Sequence, residues 1–484
     1  MALECMSVVR GFLPVLLLCV ATSAGGAEYR VEIDPAAELG VVSRELMGFN
    51  AIYSNEPDAQ WQRGRGPVPA LLAEINAGVV RYPAGTVTTF YHWREPTVPG
   101  WKDSWAPDYD PAKNLPESAT MSLDEYLDYV ALRGVTPLVG INLGSGKKYD
   151  RVADGVAEAE ALVRHCLARG AHVKYYYLDN EPYQPDANYT YTPEEYAEQI
   201  NLYASALRAI DPEIKLIANL HPSPKKTDYA RRVVELAGAQ IDFVDLHFYW
   251  RHGNATFANW MAEPRMTHQQ TRPYAEQRAF YRKLFADAGH PHIELAVLEW
   301  NIGPVRQGTP PTQAEAALMV GEQFLQLVQS GMKLAAFWPL HWERAEWSRA
   351  LLSSDSAAPF QPNKVHGMFR LVADLPGRAQ LRVGVTGNAP AEWVTCIAAR
   401  SANGDVTVYL LNKRGDEPAS TFEIAIPDLE TFGDIDAVAF NRSDASAGPL
   451  AVHDLAVERT QDAARLTLPP YSFAKVILRR ASAR

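Results

Sequence analysis

The chain has 484 residues, 47% apolar and 21% charged, with 46 Lys and Arg against 57 Asp and Glu and a net charge of −11. The length exceeds what one hydrophobic core usually fills, so more than one domain is expected, and the ordinary composition excludes a disordered, collagen-like or coiled-coil chain. The acidic balance argues against a nucleic-acid partner, whose affinity rests on Lys and Arg at phosphates; 11 Trp, 22 Tyr and 34 Pro point instead to sugars, which lie flat on aromatic rings.

The first predicted element is a signal peptide over residues 1–27. Arg10 precedes an apolar run from Phe12 to Val20, small residues follow, and cleavage is expected after Ala24 or Ala27. That run is too short to cross a bilayer, and no later stretch is apolar and long enough. The expected protein is secreted, extracellular or periplasmic, with no membrane partner. Cys5 and Cys19 leave with the leader, so Cys166 and Cys396 remain. They provide neither a disulfide framework nor zinc-ligand spacing, and no metal or cofactor is called for. Cys166 falls in a helical stretch and is expected to be buried. Sequons occur at Asn188, Asn254 and Asn441.

Residues 45–377 alternate between short β-branched or aromatic runs and amphipathic segments. The expected strands are Met47–Asn50, Val79–Pro83, Thr136–Leu143, Val173–Asn180, Lys215–Leu220, Ile241–Tyr249, Ile293–Trp300 and Lys333–Leu340. Between them, Ser122–Gly134 carries an N-cap, a capping-box Glu125 and a terminating Gly. Thr192–Asp211 has Thr192 as cap, Pro193 at the first helical position and Glu195 three after the cap, and Thr312–Gly331 is a third helix. Eight such repeats predict an α/β fold, a (β/α)8 TIM barrel. The alternative, an open doubly wound sheet, lacks a glycine-rich phosphate loop after its first strand. From residue 378 the helical period stops. Val406–Asn412, Thr421–Ile426, Ala437–Phe440, Ala464–Leu468 and Phe473–Leu478 predict an accessory antiparallel β-sandwich. Tyr29–Ile33 is expected to add an edge strand to it, giving a discontinuous domain of residues 28–44 plus 378–484.

In a barrel of this kind, chemistry sits at the C-terminal ends of the strands. The fourth strand ends Asp179-Asn180-Glu181-Pro182 and the seventh ends Glu299-Trp300-Asn301. Two carboxylates delivered from opposite sides of one mouth can flank a glycosidic bond, one protonating the leaving oxygen and the other attacking or activating water. The second strand delivers Arg81, the sixth His247 and Tyr249, the eighth Trp338.

Taken together these residues resemble the large clan of retaining (β/α)8 glycoside hydrolases. The resemblance implies Glu181 as acid/base, Glu299 as nucleophile and Tyr249 as the group that orients it, with Arg81, His247 and Trp338 at the clan's matching positions. Asn180 is placed to bond the sugar 2-hydroxyl, and Asn50 and Trp300 complete the expected substrate-binding set. Within the clan, Arg81-Tyr82-Pro83-Ala84-Gly85 and Glu299-Trp300-Asn301 are similar to the α-L-arabinofuranosidase family. Two features depart from that family. Gly48-Phe49-Asn50-Ala51-Ile52 lacks the first-strand glutamate that binds the furanose there, and Asp179-Asn180-Glu181-Pro182 is closer to endo-glucanases and xylosidases. The expected activity is double-displacement hydrolysis of plant or algal polysaccharides or oligosaccharides, arabinofuranosidase-like, with an endo-acting β-glycanase as the alternative. A non-catalytic carbohydrate-binding protein on the same barrel would be expected to have lost one glutamate.

Trp93, Trp101, Trp105, Trp250, Trp260, Trp342 and Trp347 fall in loops at the same face and are expected to divide between sugar stacking and loop packing. His221 is a further candidate lining residue. Asp108 and Asp110 lack the additional oxygen ligands that a calcium site needs.

Overall fold

The eight parallel strands expected between residues 45 and 377 close into a ring. The computed structural model describes residues 26–95, 103–185, 189–223, 225–269, 271–342, 348–355, 358–415, 418–445 and 448–481. The predicted leader therefore lies outside the described residues up to position 25. Strand β1 is Glu28–Val41. The barrel runs β2 (Gly48–Asn50), β3 (Val79–Tyr82), β4 (Thr136–Ile141), β5 (Tyr175–Leu178), β6 (Lys215–Asn219) and β7 (Phe243–Asp245), then β9 (Glu294–Ile302) and β10 (Leu334–Phe337). All neighbours are parallel, and β10 closes the ring by pairing with both β9 and β2. The expected sixth strand is broken at Leu246–His247, and its second piece, β8 (Phe248–Trp250), pairs only with the far end of β9.

The helices between these strands start where the caps predict. Ser122, Thr192 and Thr312 each accept from the backbone N–H three residues on, and Glu125, Glu195 and Glu315 return the bond to the cap. Gly134 ends the first of these helices in the left-handed region, at φ 63°. Helix Gln313–Gln329 differs from the amphipathic pattern expected, being buried nearly all round. It packs between the barrel and the second sheet, so neither face meets water.

Strand alternation fills the barrel. Val79, Leu138, Tyr175, Tyr177, Ile217, Leu334, Ala296 and Leu298 form a core of their own inside it, while Val80, Tyr82, Val139, Tyr176, Leu216 and Val297 face the helices. On β9 the alternation breaks. Ala335 pairs with Val297 but Phe337 pairs with Trp300, so β9 holds one residue more than β10 across that step. This is a β-bulge at Leu298–Glu299. It sends Trp300 outward against Phe324, Phe337 and Phe369. A bulge leaves ladder groups unpaired, and here two buried side chains take them: Leu298 N–H donates to Asp245 Oδ1 at 2.6 Å, and Leu298 C=O accepts from Asn50 Nδ2 at 2.9 Å.

The remaining strands are β11 (Ala379–Gly387), β12 (Val394–Arg400), β13 (Val406–Asn412), β14 (Ser420–Ala425), β15 (Phe432–Asn441), β16 (His453–Asp454), β17 (Glu458–Arg459), β18 (Ala463–Leu468) and β19 (Ser472–Arg480). They curl with β1 into one ten-stranded sheet of sandwich form, in the order β16-β15-β19-β13-β12-β11-β1-β14-β18-β17. β1 is therefore interior, antiparallel to β11 and parallel to β14, not the edge strand expected. It is also 14 residues long. Only Tyr29, Val31 and Ile33 show the buried alternation; beyond Asp34 the strand is bulged and mostly exposed, so it reads as loop in sequence. Ala27 is already packed into this sheet, its carbonyl accepting from Thr421 N–H at 2.8 Å. Cys166, in helix Val152–Ala168, and Cys396, on β12, are free and buried. Burial pushes their thiols up to about 11 and about 12.

Candidate active site

The bulge that turns Trp300 out turns Glu299 into the barrel mouth. There Arg81 reaches it from β3. Arg81 is fully buried and stands over the Tyr177 ring at 4.2 Å. Its Nη1 donates to Glu299 Oε1 at 2.9 Å and Asn50 Oδ1 at 3.1 Å, and its Nη2 donates to Asn180 Oδ1 at 2.6 Å. Burial works against its charge, but Tyr177, Glu299 and Asp245 outweigh that and the guanidinium stays ionised. The second Glu299 oxygen accepts from Tyr249 O–H at 2.8 Å. Glu299 thus sits between a fixed cation and a fixed hydroxyl donor.

Glu181 leaves β5 through a strained turn, with Asp179 at φ 65° and Glu181 at φ 47°. Non-glycine residues there cost roughly 1–3 kcal/mol and persist where the surroundings enforce them. Asn219, at the end of β6, does so by accepting Glu181 N–H at 2.7 Å, while Thr89 O–H and Asn180 N–H donate to Asp179 Oδ1. The Glu181 carboxylate accepts from Tyr183 O–H at 3.0 Å and bonds His247 Nδ1 at 2.8 Å. Asp245 holds the other side of this group. Its Oδ2 accepts from Asn219 Nδ2 at 2.6 Å and lies 3.2 Å from His247 Nε2.

His247 is the electrostatic pivot. Burial alone would depress its imidazole, but Glu299, Asp245 and Glu181 overcome that and push it up to about 10. Burial likewise pushes the Glu181 carboxyl up, and His247 foremost, with the Tyr183 hydroxyl and Arg81, more than cancels it, leaving Glu181 below its ordinary value. The Nδ1 atom also lies 3.5 Å from Glu299 Oε2, so one nitrogen addresses both carboxylates.

Above these groups lies a cavity of about 830 Å³, the size of a small-molecule site. Glu181, Glu299, Asn180, His247, Tyr249 and Trp338 line it, as do Tyr183 and His221. Burial and Lys226 pull the His221 imidazole down to about 4. Three expected substrate-binding residues do not line the cavity. Arg81 is fully buried, its guanidinium taken up by Glu299, Asn50 and Asn180. Asn50 spends its amide on the bulge and on Arg81, and Trp300 is buried behind β9. Among the described aromatic candidates, Trp250 and Trp260 are also buried, with their indole N–H groups on Glu263 and Glu322. Trp93 packs on His165, Trp105 on His92, and Trp342 beside Trp338; Trp101, Trp347 and the sequon Asn188 lie outside the described residues. Gly85 explains how Trp338 fits: a Cβ there would stand 2.3 Å from the indole, and the residue has φ 61°.

Asn219, Asp245, Tyr183, Arg306 and Arg349 were not singled out from sequence. The first two did leave a trace, as polar residues ending otherwise apolar runs. The first strand sends no carboxylate to the cavity. The first carboxylate after it in sequence, Glu56, is buried against Trp61 Nε1 at 2.8 Å, and burial pushes it up to about 8.

No family profile matches the chain. The intracellular exo-α-(1→5)-L-arabinofuranosidase of Halalkalibacterium halodurans is 23% identical over 350 residues, which cover 61% of this chain and 66% of that protein. α-L-Arabinofuranosidase C of Emericella nidulans is 26% identical over 276 residues, covering 53% and 50%. The chain thus spans about half to two thirds of these curated relatives. Among solved structures, the α-L-arabinofuranosidase of Thermotoga maritima in its arabinose complex superposes with a TM-score of 0.71 at 19% identity, covering 93% of this chain and 100% of that one. A bifunctional glucanase-xylanase from a metagenome library superposes at 0.65 with 13% identity, covering 94% and 99%. The chain has the barrel and appended β-sheet of these glycoside hydrolases.

Proposed function

We propose that this chain is a retaining glycoside hydrolase with Glu299 as nucleophile and Glu181 as acid/base. The observation that carries the reading is the pair of carboxylates sharing His247 Nδ1 on the floor of one cavity, with Glu299 gripped by Arg81 and Tyr249. With contacts of 2.8 and 3.5 Å to that nitrogen, the separation of the facing oxygens stays at or below about 6.3 Å, short of the ~6.5–9.5 Å of pairs that activate water directly and compatible with the ~5–5.5 Å of pairs that form a glycosyl-enzyme.

In the first step a Glu299 oxygen bonds the anomeric carbon, the bond from that carbon to the leaving oxygen breaks, and Glu181 gives that oxygen its proton. In the second, water gives a proton to Glu181 and its oxygen displaces Glu299. The low Glu181 value in the free protein suits the second step. For the first, Glu181 must gain a proton as substrate fills the cavity, so binding is expected to take up a proton. Asn180 is assigned the sugar 2-hydroxyl and Trp338 the sugar face. The arabinofuranosidase relatives favour an arabinofuranosyl substrate. The absence of a first-strand carboxylate at the cavity favours the second reading, an endo-acting β-glycanase. The protein is further proposed to be exported, with cleavage after Ala24 leaving Ala27 in the sheet.

The test is proton NMR of the first sugar released from defined arabino-, xylo- and gluco-oligosaccharides. Retained anomeric configuration is expected, and the released sugar separates the two substrate readings. An inverted first product would overturn the retaining assignment, and no hydrolysis of any glycoside would overturn the function.

A further inference from the structure

One side chain on the acid/base side of the cavity is unused by the hydrolytic steps. Strand β6 ends at Asn219, which accepts Glu181 N–H at 2.7 Å. Two residues on, His221 lines the cavity. There the chain turns back on itself, and Ser223 N–H donates to His221 Nδ1 at 3.0 Å. A ring nitrogen that accepts carries no proton, so this bond fixes the neutral imidazole with its proton on Nε2. The burial and the Lys226 charge that pull the imidazole down to about 4 favour the same state, against the opposing pull of Glu181. Nε2 sits at the outer end of the ring. It is not buried, and among the described residues nothing accepts from it. The ring is also braced. It packs on Tyr183 with centroids 4.7 Å apart, and Tyr229 meets Tyr183 edge to face at 6.3 Å. Tyr183 O–H donates to Glu181 Oε1 at 3.0 Å. His221 therefore lies one side chain beyond Glu181, with a fixed and unspent donor.

We propose that His221 selects the leaving group, its Nε2–H donating to a hydroxyl oxygen of the sugar that departs with the glycosidic oxygen. The inference rests on the hydrolase reading above and names the class of leaving group, a sugar rather than a simple alcohol. Glu181 gives its proton to the leaving oxygen, so the departing sugar passes over Glu181 and meets the Tyr183–His221 pair next. A sugar hydroxyl is uncharged and accepts a hydrogen bond from a neutral donor without either group changing its proton. Ser223 sets the direction of that donor before substrate arrives, so little ordering is lost on binding. An alcohol with no second oxygen forgoes the bond.

The experiment pairs each oligosaccharide with a trifluoroethyl glycoside that releases the same glycone: arabinobiose with trifluoroethyl α-L-arabinofuranoside, xylotriose with trifluoroethyl β-xylobioside, and cellotriose with trifluoroethyl β-cellobioside. Trifluoroethanol is about as acidic as a sugar hydroxyl, so it needs the same proton from Glu181 but offers His221 no hydroxyl. kcat/KM is measured for the wild type, for His221→Phe and His221→Ala, which lack the donor, and for His221→Gln, whose amide N–H reaches the place of Nε2. For the pair that the wild type hydrolyses, the oligosaccharide-to-trifluoroethyl ratio should fall about 3–10-fold in His221→Phe and His221→Ala, the worth of one neutral hydrogen bond, and return to within about twofold of wild type in His221→Gln. A ratio left unmoved by His221→Phe and His221→Ala, with both substrates slowed together or neither slowed, overturns the inference and leaves the hydrolase reading standing. No hydrolysis of any member of the pairs by the wild type overturns both.

Discussion

Replacing Arg81 by Met removes the charge at the centre of the site while keeping most of the side-chain volume. The guanidinium is fully buried and its partner Glu299 nearly so, at 0% and 8% side-chain exposure. Three acceptors lose a donor at once: Glu299 Oε1, Asn50 Oδ1 and Asn180 Oδ1. Breaking a buried ion pair from one side costs about 3–5 kcal/mol, most of it from the charge left behind. Asn50 also loses part of its hold on the β9 bulge, so the upper end of that range is expected. Urea unfolding of the Arg81→Met variant against wild type measures the loss as a shift in midpoint. The reasoning makes a sharper demand on the double variant. If the cost is the stranded Glu299 charge, then Glu299→Gln added to Arg81→Met should recover at least about 2 kcal/mol. A deficit below about 1 kcal/mol, or a double variant less stable than Arg81→Met, would refute the argument.

Three further outcomes follow from other parts of the structure. His247 is pushed up to about 10, so its contribution to stability is complete below the ordinary imidazole value of ~6.5 and fades as pH rises toward the folded value. The gap in urea midpoint between wild type and His247→Asn should therefore narrow from pH 7 to 10; a constant gap would rule out a buried imidazolium. Gly85→Ala places a Cβ on the Trp338 indole at a positive φ, and should cost about 1–3 kcal/mol and at least tenfold in kcat/KM by displacing the ring. Lys413→Met strands Glu322, paired with it at 3.0 Å with side chains 1% and 0% exposed, and should cost about 3–5 kcal/mol. Activity per folded molecule should be unchanged, since neither residue lines the cavity.

The barrel was legible because its strands are buried on both faces and read as unbroken β-branched and aromatic runs, punctuated by capping boxes at Ser122 and Thr192. The positions of Glu181 and Glu299 at strand ends were legible for the same reason. What sequence missed depends on register and on distant partners. Trp300 shares a motif with Glu299, and neighbours on a strand face opposite ways; the extra residue in β9 decides that Glu299 turns inward and Trp300 outward. Asn50 resembles a polar residue offered to a ligand, but the Leu298 carbonyl at the bulge and the Ala336 and Phe337 carbonyls of β10 take its donors. Asn219 and Asp245 matter through neighbours up to 53 residues away, a relation no local pattern encodes. β1 was misplaced at the edge because only its first half alternates.

The central claim is that Glu299 forms the covalent bond to sugar. The direct measurement is Glu299→Ala assayed on an activated aryl glycoside of the preferred sugar, with and without sodium azide. The account predicts loss of hydrolysis by at least about 10³-fold, partial recovery with azide, and a glycosyl azide of inverted configuration, because the small anion enters the space the carboxylate left. Full activity in the variant, or an azide product of retained configuration, would contradict it.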